Sequence, residues 1–173
     1  MIINPIAIFH SPLTSKFGVP KQSGLVENIF GSIVFEPQYR NADYIRGMEG
    51  YDYLWLLWEF SANKHKANSP VVRPPVLGGN EKMGVFATRS NARPNPIGTS
   101  IVKVKNVDTD NGKVEIDKID AYDGSAILDI KPYIPSYDRI LDVQTPSFCN
   151  NWPKSVEQNT NFDWEKEIKK RRK

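Results

Sequence analysis

The chain has 173 residues and a hydrophobic content of 39%, which suits one domain with a substantial core. Its single cysteine, Cys149, excludes a disulfide framework within the chain and fits a reducing compartment. The longest apolar run, residues 53–58, is too short to span a bilayer, and residues 1–9 lack the basic start of a secretory signal. We therefore expect a cytoplasmic protein with no membrane segment.

The positive charge of the chain is concentrated at its C-terminus. The net charge is +3, but residues 169–173 are all basic, and without those five charges the chain carries −2. Such a tail is typical of a solvated chain end. The alternative is an arm that binds the phosphates of a nucleic acid, an interaction that salt would weaken.

The predicted elements are mostly short strands. A helix is predicted over residues 41–48, after an Asn start, and another over residues 162–170. The almost continuous apolar run at 53–60 predicts a buried central strand, and the Asn-Gly pair at 111–112 predicts a hairpin. Strands are predicted at residues 2–9, 31–35, 53–60, 83–87, 99–107, 113–121 and 126–130.

This element order favours a mainly β fold. Long helices that alternate with the strands are missing, which disfavours a doubly wound parallel sheet. Closure of the sheet into a barrel removes its unpaired edges. We therefore predict a closed β-barrel with a short helix over residues 1–140, followed by a C-terminal extension with a helical, basic tail over residues 141–173.

The loop over residues 83–100, MGVFATRSNARPNPIGTS, carries the densest chemistry. Arg89, Arg93 and Asn95 lie around Pro94 and Pro96, which exclude a helix and stiffen the backbone. Two guanidinium groups on a stiff, extended loop suit a ligand that carries an anionic or carboxylate group. The alternative is an ordinary surface loop with two solvated arginines.

Several familiar site motifs are missing from the chain. Neither the dinucleotide motif GxGxxG nor the phosphate-binding GxxxxGK[ST] occurs, and no GxSxG supports a hydrolase. His10 and His65 are the only histidines, and Cys149 lies far from both in sequence. We therefore expect no metal site.

The polar patches that remain form an unusual ordered set. Each alone is typical of a turn, but together GVPKQSGLV, VRPP, LGGN, MGVFATRSNARPNPIG and DIKPY resemble the TsaA-like family (YaeB/TrmO type). That family comprises S-adenosylmethionine-dependent tRNA methyltransferases, which methylate N6 of N6-threonylcarbamoyladenosine at position 37. The resemblance runs from about residue 6 to residue 133 and implies a closed β-barrel that works as a homodimer.

The resemblance also implies a cofactor site without a Rossmann fold. Ser61 and Ala62 fall where better-known members have a His-Gln pair, so the resemblance implies only backbone contacts there. The residues that it implies for S-adenosylmethionine binding are Pro20, Lys21, Gln22, Ser61, Ala62, Arg89, Thr99, Ser100, Asp120, Ala121, Tyr122, Asp123 and Gly124.

The motif DIKPY supplies the candidates for catalysis. An N6 bonded to a purine and a carbamoyl group is a poor nucleophile, so a base that removes its proton would help. We expect Asp129 to be this base or an orienting group, with Lys131 and Tyr133 shaping the pocket. The alternative is that Asp129 only braces Lys131 or an arginine.

Arginines are the candidates for substrate binding. The predicted substrate residues are Arg73, Arg93 and Asn95. Arg89 or Arg93 would hold the threonyl carboxylate, a phosphate or the carboxylate of the cofactor, and the sequence leaves these roles open.

The chain departs from the longer bacterial members in its C-terminal part. Those members carry an extra domain implicated in tRNA binding, whereas this sequence ends about 40 residues after DIKPY. Either the basic tail and the barrel bind tRNA, or the substrate differs. The alternatives are therefore a methyltransferase of the same fold for another RNA or a small molecule, and a non-catalytic barrel that binds RNA or nucleotides.

Overall fold

A computed structural model of the chain describes residues 2–11, 30–60, 69–74, 81–117, 119–159 and 162–171. The chain divides into two compact units. One comprises Met1–Ala62 with Ile97–Leu141, and the other comprises Asn63–Pro96 with Asp142–Lys173. The boundary predicted between residues 140 and 141 stays a prediction. None of the helices in the described segments is long and apolar enough to span a membrane.

The first unit is a closed antiparallel barrel. Within the described segments six strands belong to it: β1 (Ala7–His10), β2 (Phe30–Phe35), β3 (Tyr53–Glu59), β6 (Ile97–Asp108), β7 (Lys113–Asp117) and β8 (Ser125–Pro132). They are hydrogen-bonded in the order β1-β2-β7-β6-β3-β8, and β8 pairs with β1 to close the ring. The mainly β, closed-barrel prediction is confirmed.

Strand β3 shows how the barrel interior is filled. Leu54, Leu56 and Trp58 are buried in the core, whereas the alternate residues Trp55 and Leu57 are only partly buried. The predicted strand is correct, but the expectation that its apolar run is wholly buried is wrong. A barrel strand has one interior face, because successive side chains point to opposite sides of the sheet.

Three predicted strands end earlier or begin later than expected. The strand predicted from residue 2 begins at Ala7, where pairing with β2 and β8 starts. The strand predicted over 113–121 ends at Asp117, before the turn into β8. The strand predicted over 83–87 gives way to a 3-10 turn at Val85–Ala87, where the hydroxyl of Thr88 donates to the carbonyl of Val85.

The hairpin predicted at Asn111-Gly112 joins β6 to β7. Asp108 pairs with Lys113 across a four-residue loop, and Gly112 takes a positive φ of 61°. The side-chain and backbone N–H groups of Asn111 donate to the carboxylate of Asp108. These two hydrogen bonds lower the pKa of Asp108 below its ordinary value, since they favour the charged form.

Helices are few and short, as predicted. Helix α1 (Ala42–Ile45) begins after Asn41, whose side chain accepts from the backbone N–H of Asp43, and so occupies part of the predicted span 41–48. The other helices of the described segments are α2 (Pro135–Asp138), α3 (Val156–Asn159) and α4 (Trp164–Arg171), with single 3-10 turns at Pro37–Tyr39, Met48–Gly50 and Ser147–Cys149. Helix α4 is the C-terminal helix predicted over residues 162–170, and it begins two residues later than predicted.

The second unit holds the short strand pair and the C-terminal segment. Strand β4 (Val71–Val72) pairs with β5 (Met83–Gly84). In the C-terminal segment, the rings of Trp152 and Trp164 meet edge to face at 5.2 Å. Phe148 and Phe162 extend this aromatic cluster, which packs the start of α4 against its own preceding segment.

The antiparallel order of the strands decides where the motifs meet. The C-terminal ends of β1, β3 and β7 lie at the same end of the barrel as the N-terminal ends of β2, β6 and β8. The connections 11–29, 60–96 and 118–124 therefore begin and end at this end, which we call the loop end. Four of the five motifs that carry the sequence resemblance begin in the connections 11–29 and 60–96, and the connection 118–124 holds five of the predicted cofactor residues.

Gly98 is required for the packing of Trp58. The two residues are cross-strand partners, and a Cβ at Gly98 would lie 2.6 Å from Cζ2 of the buried Trp58 ring. We expect Gly98→Ala to lower the free energy of unfolding by about 1–3 kcal/mol, because the rigid ring or the strand must move. Urea denaturation measures this change.

The matched control is Gly84→Ala, since no atom lies within 4 Å of its added Cβ and its φ of −58° suits alanine. Its stability is expected to be unchanged or slightly higher. Equal losses in the two variants would contradict the packing role of Gly98.

Candidate active site

A chain of hydrogen bonds links the barrel core to the loop end. The indole Nε1 of Trp58 donates to Oγ of Ser100 at 3.0 Å, and the Ser100 hydroxyl donates to Oδ1 of Asp120 at 2.6 Å. Ser100 is only 2% exposed. Because an indole N–H can only donate, the single proton of Ser100 is left for Asp120, and the carboxylate is the final acceptor.

The turn over residues 120–124 lies directly beside this network. Ala121 is buried, and the carbonyl of Tyr122 accepts from the backbone N–H of Ser125. Gly124 takes a positive φ of 76° and donates to the carbonyl of Phe9. The turn is therefore tied to strand β1, and it holds five predicted cofactor residues in one short segment.

Asp123 ties the same turn to the end of β1. Its Oδ1 accepts from the backbone N–H of Ser11 at 2.9 Å and lies 3.6 Å from Nδ1 of His10. Asp123 thus contacts Ser11 and His10, whereas Asp120, three residues earlier, accepts from the hydroxyl of Ser100. The structure gives Asp123 a bracing role within the loop end.

Thr99 and Ser100 are adjacent in sequence but lie on opposite faces of β6. Ser100 is buried in the barrel, whereas Thr99 is exposed. Thr99 pairs with Leu57, and Leu57 pairs in turn with Asp129, so the register places Thr99 and Asp129 on the outer face. They are two strands apart, about 10 Å. The structure therefore groups Thr99 with the DIKPY motif and separates its side chain from that of Ser100.

The catalytic candidates lie together on the outside of the barrel. Asp129 forms an ion pair with Lys131 and accepts from the backbone N–H of Ile130 at 3.0 Å. Tyr133 donates its backbone N–H to the carbonyl of Tyr53 at 3.0 Å, and the two rings meet edge to face at 6.5 Å. The ion pair is the bracing contact that the sequence left as an alternative for Asp129.

Strand β3 adds two aromatic residues to this face. Tyr53 is 37% exposed, and Trp55 pairs across the strands with Lys131. We call the set of Tyr53, Trp55, Asp129, Lys131 and Tyr133 the outer wall. Sequence reasoning missed Tyr53 and Trp55 because their apolar run predicted complete burial.

The part of the second unit over residues 83–96 carries Arg89 and Arg93, and we call it the arginine loop. It is stiffened by side-chain hydrogen bonds as well as by prolines. Nη1 of Arg93 donates to the carbonyls of Thr88 and Ser90 at 3.3 and 3.4 Å. The backbone N–H groups of Ser90 and Ala92 donate to the hydroxyls of Thr88 and Ser90. These contacts give Arg93 a scaffold role, one of the roles that the sequence left open.

Three other predicted ligand residues expose their side chains, Arg73 before the loop and Arg89 and Asn95 within it, as a ligand-binding role requires. Beside the loop lies an open apolar depression of about 330 Å³. It is lined by Pro70, Gly84, Val85, Phe86, Ala87 and Pro94.

Five predicted cofactor residues lie outside the described segments: Pro20, Lys21, Gln22, Ser61 and Ala62. In the segments that are described, no three His, Cys, Asp or Glu side chains converge as metal ligands would.

The sequence of the chain matches a known protein family over most of its length. The sequence model of the tRNA-methyltransferase O N-terminal domain matches residues 8–139. The chain belongs to this family. The resemblance carried by the sequence motifs is thereby confirmed.

Two curated relatives and one solved structure illustrate the family. The chain is 41% identical over 150 residues to the tRNA (adenine(37)-N6)-methyltransferase of Escherichia coli K12, covering 86% of this chain and 63% of the relative. It is 36% identical over 134 residues to a probable S-adenosyl-L-methionine-binding protein of Pyrococcus abyssi, covering 78% and 68%. A crystal structure of TrmO superposes with a TM-score of 0.70 at 32% identity, covering 84% of this chain and 63% of that one.

The chain spans about three fifths of the length of the E. coli methyltransferase and of two Pseudomonas aeruginosa relatives, which are called putative S-adenosylmethionine-dependent methyltransferases. The similarity to these relatives is limited to that part of their length, and the family model that the chain matches is that of an N-terminal domain.

The contacts of Arg93 lead to a test of its scaffold role. We expect Arg93→Ala to accelerate hydrogen exchange at the backbone N–H groups of Ser90 and Ala92, because the loop loses the guanidinium that joins two of its carbonyls. A loss of one to two kcal/mol of local stability corresponds to about five- to thirtyfold faster exchange. Exchange followed by NMR measures it.

The control is Arg46→Ala, whose exposed guanidinium pairs with Asp43 in the barrel unit. It should leave exchange in the arginine loop unchanged. Unchanged exchange in Arg93→Ala as well would show that the prolines and the hydroxyl contacts hold the loop without Arg93.

Proposed function

We propose that the chain binds S-adenosylmethionine and transfers a methyl group to N6 of N6-threonylcarbamoyladenosine at position 37 of tRNA. The observation that carries the proposal is the family match over residues 8–139, with relatives named as adenine-37 N6-methyltransferases of tRNA. The proposal that the methylated adenosine carries a threonylcarbamoyl group rests on the resemblance of the motifs to the TsaA-like family.

The chemistry of the loop end fits the proposed cofactor. S-adenosylmethionine presents ribose hydroxyls and an ammonium group as donors, and Asp120 is fixed as an acceptor by Ser100. Asp120 to Gly124 form one turn that would line this part of the cofactor, and Arg89 would hold its carboxylate. The bound cofactor supplies an electrophilic methyl group on a sulfonium, so the protein mainly orients the reactants and excludes water.

The outer wall is the proposed surface for the acceptor nucleoside. Tyr53, Trp55 and Tyr133 offer aromatic faces on which bases stack, and Lys131 and Lys103 lie beside them. Aromatic rings with neighbouring lysines suit a nucleic acid better than a neutral small molecule. This arrangement favours tRNA over a small-molecule substrate.

Asp129 is the proposed base. Its carboxylate lies on the outer wall in an ion pair with Lys131, and a carboxylate placed within reach of the acceptor N6 is the kind of group that takes up its proton. The contact between Asp129 Oδ1 and the N–H of Ile130 orients the carboxylate on its strand. Arg73, Arg93 and Asn95 are proposed to hold the threonyl carboxylate or a phosphate, a role that Arg93 would combine with its contacts in the loop.

The resemblance also leads us to propose a cytoplasmic homodimer. Light scattering on the purified chain measures its oligomeric state. A monomer at micromolar concentrations would contradict the dimer without affecting the proposed reaction.

Two measurements test the proposed reaction. Calorimetry with S-adenosylmethionine is expected to show one binding site per chain, whereas no binding would leave the non-catalytic barrel as the better function. Mass spectrometry of tRNA nucleosides from a deletion strain is expected to show loss of the methylated threonylcarbamoyl nucleoside and its return when the gene is restored. Cofactor binding with an unchanged nucleoside ratio would indicate another substrate.

The variant Asp129→Asn distinguishes between two roles of Asp129, as the catalytic base and as a residue that only braces Lys131. General base catalysis contributes about 10² to 10⁴ in rate, so we expect turnover in the methyl-transfer assay to fall by at least about 100-fold with cofactor affinity retained. Unchanged turnover would eliminate Asp129 as the base.

The matched control for this test is Glu115→Gln. Glu115 pairs with Lys113 on β7 at 2.8 Å, the same spacing of carboxylate and lysine along a strand as in the outer wall. This variant removes one carboxylate–lysine pair from the barrel surface outside the outer wall, and turnover should be retained.

A further inference from the structure

Trp58 is held from several sides where strand β3 reaches the loop end. It is 3% exposed, its ring lies against the backbone of Gly98, and it meets the ring of Phe60 edge to face at 4.5 Å. Its N–H is thus held in one direction, toward Oγ of Ser100. These contacts within the barrel orient the indole N–H of Trp58 without any contribution from a ligand.

The contact between Ser100 and Asp120 has the length of a charge-assisted hydrogen bond. Its 2.6 Å lies within the range of about 2.5–2.7 Å for a hydroxyl that donates to a carboxylate. Trp58 prevents the hydroxyl from turning back, because the indole N–H already occupies a lone pair of Ser100 and cannot accept a proton. The two residues together keep Asp120 an acceptor in a fixed orientation.

Two other buried polar groups of the barrel unit serve as references for this chain of bonds. The hydroxyl of Ser125, which is 0% exposed, has no hydrogen-bond partner among the described residues. The buried Nε1 of Trp55 likewise has no partner among them. Among the described residues, the hydroxyl of Ser125 and the indole N–H of Trp55 therefore differ from those of Ser100 and Trp58, which are connected to a carboxylate at the loop end.

We infer that Trp58 and Ser100 are positioning residues for Asp120, and that they set the affinity for S-adenosylmethionine through Asp120. Asp120 would accept a hydrogen bond from a ribose hydroxyl or the ammonium group of the cofactor. The role in cofactor affinity rests on the proposed function, whereas the coupling between the three residues does not. No covalent step is involved.

The first test compares cofactor affinities by calorimetry. Trp58→Phe and Ser100→Ala are each expected to weaken binding about five- to twentyfold, since a hydrogen bond to a charged group loses its fixed geometry. The double variant should bind no more weakly than Ser100→Ala, because Trp58 acts through Ser100. Losses that multiply in the double variant, or an unchanged affinity in Trp58→Phe, would overturn the inference.

Matched controls are available for both changes. Ser125→Ala removes a buried hydroxyl of the same barrel unit, and Trp152→Phe removes a buried indole N–H in the second unit; neither group has a hydrogen-bond partner in the described part of the chain. Both variants should retain the wild-type affinity. A loss as large as that of Ser100→Ala would indicate a general packing effect and would contradict a positioning role.

The second test is an NMR measurement on the protein without cofactor. Trp58 is retained in each protein that is compared. The ¹⁵N–¹H indole signal of Trp58, assigned from Trp58→Phe or from its contacts, should shift in Asp120→Asn and in Ser100→Ala. It should stay in place in Asp123→Asn, whose carboxylate in the same turn bonds Ser11 instead. The indole signals of Trp152 and Trp164 serve as internal references.

An indole chemical shift of Trp58 that is unchanged in Asp120→Asn would overturn the coupling between Trp58 and Asp120, even if the wild type binds the cofactor well. Absence of cofactor binding by the wild type, with the indole shift present, would instead refute the proposed function and the affinity role while leaving the coupling intact. The two failures are therefore distinguishable.

Discussion

Closure of the sheet into a barrel is the constraint on which the rest of the structure depends. Each strand then has one interior face and one outer face, and the two alternate residue by residue. The six strands are antiparallel around the ring, which collects the ends of β1, β3 and β7 and the starts of β2, β6 and β8 at one end. Both the hydrogen-bond network and the outer wall are consequences of this alternation.

The alternation divides residues that the sequence places side by side. Ser100 joins Trp58 and Asp120 inside the barrel, whereas Thr99 faces outward in the same register row as Asp129. A predicted cofactor residue and a predicted catalytic residue thus share the outer face, and the polar network lies on the other side of the same strand. Two different chemical environments are built from adjacent positions because a strand turns each successive side chain through about half a circle.

Rigidity has different sources in the two units. In the barrel, the register pairs Gly98 with Trp58, and the missing Cβ leaves room for a ring that is then fixed by Ser100 and Phe60. In the arginine loop, prolines restrict the backbone, and Arg93 joins the carbonyls of Thr88 and Ser90. An arginine that already donates to backbone carbonyls keeps further N–H groups for a ligand, since a guanidinium has five.

Much of the protein was determined by the sequence itself. Short apolar runs, the Asn111-Gly112 hairpin and the lack of long helices predicted a mainly β fold, and the ordered motifs placed the chain in its family, because both signals are local in sequence. The partnership of Trp58 with Ser100, 42 residues away, and the outward direction of Tyr53, Trp55 and Asp129 were decided only by the tertiary structure. The physical reason is that an apolar run does not specify which of its faces is interior, and only barrel closure and strand register do so.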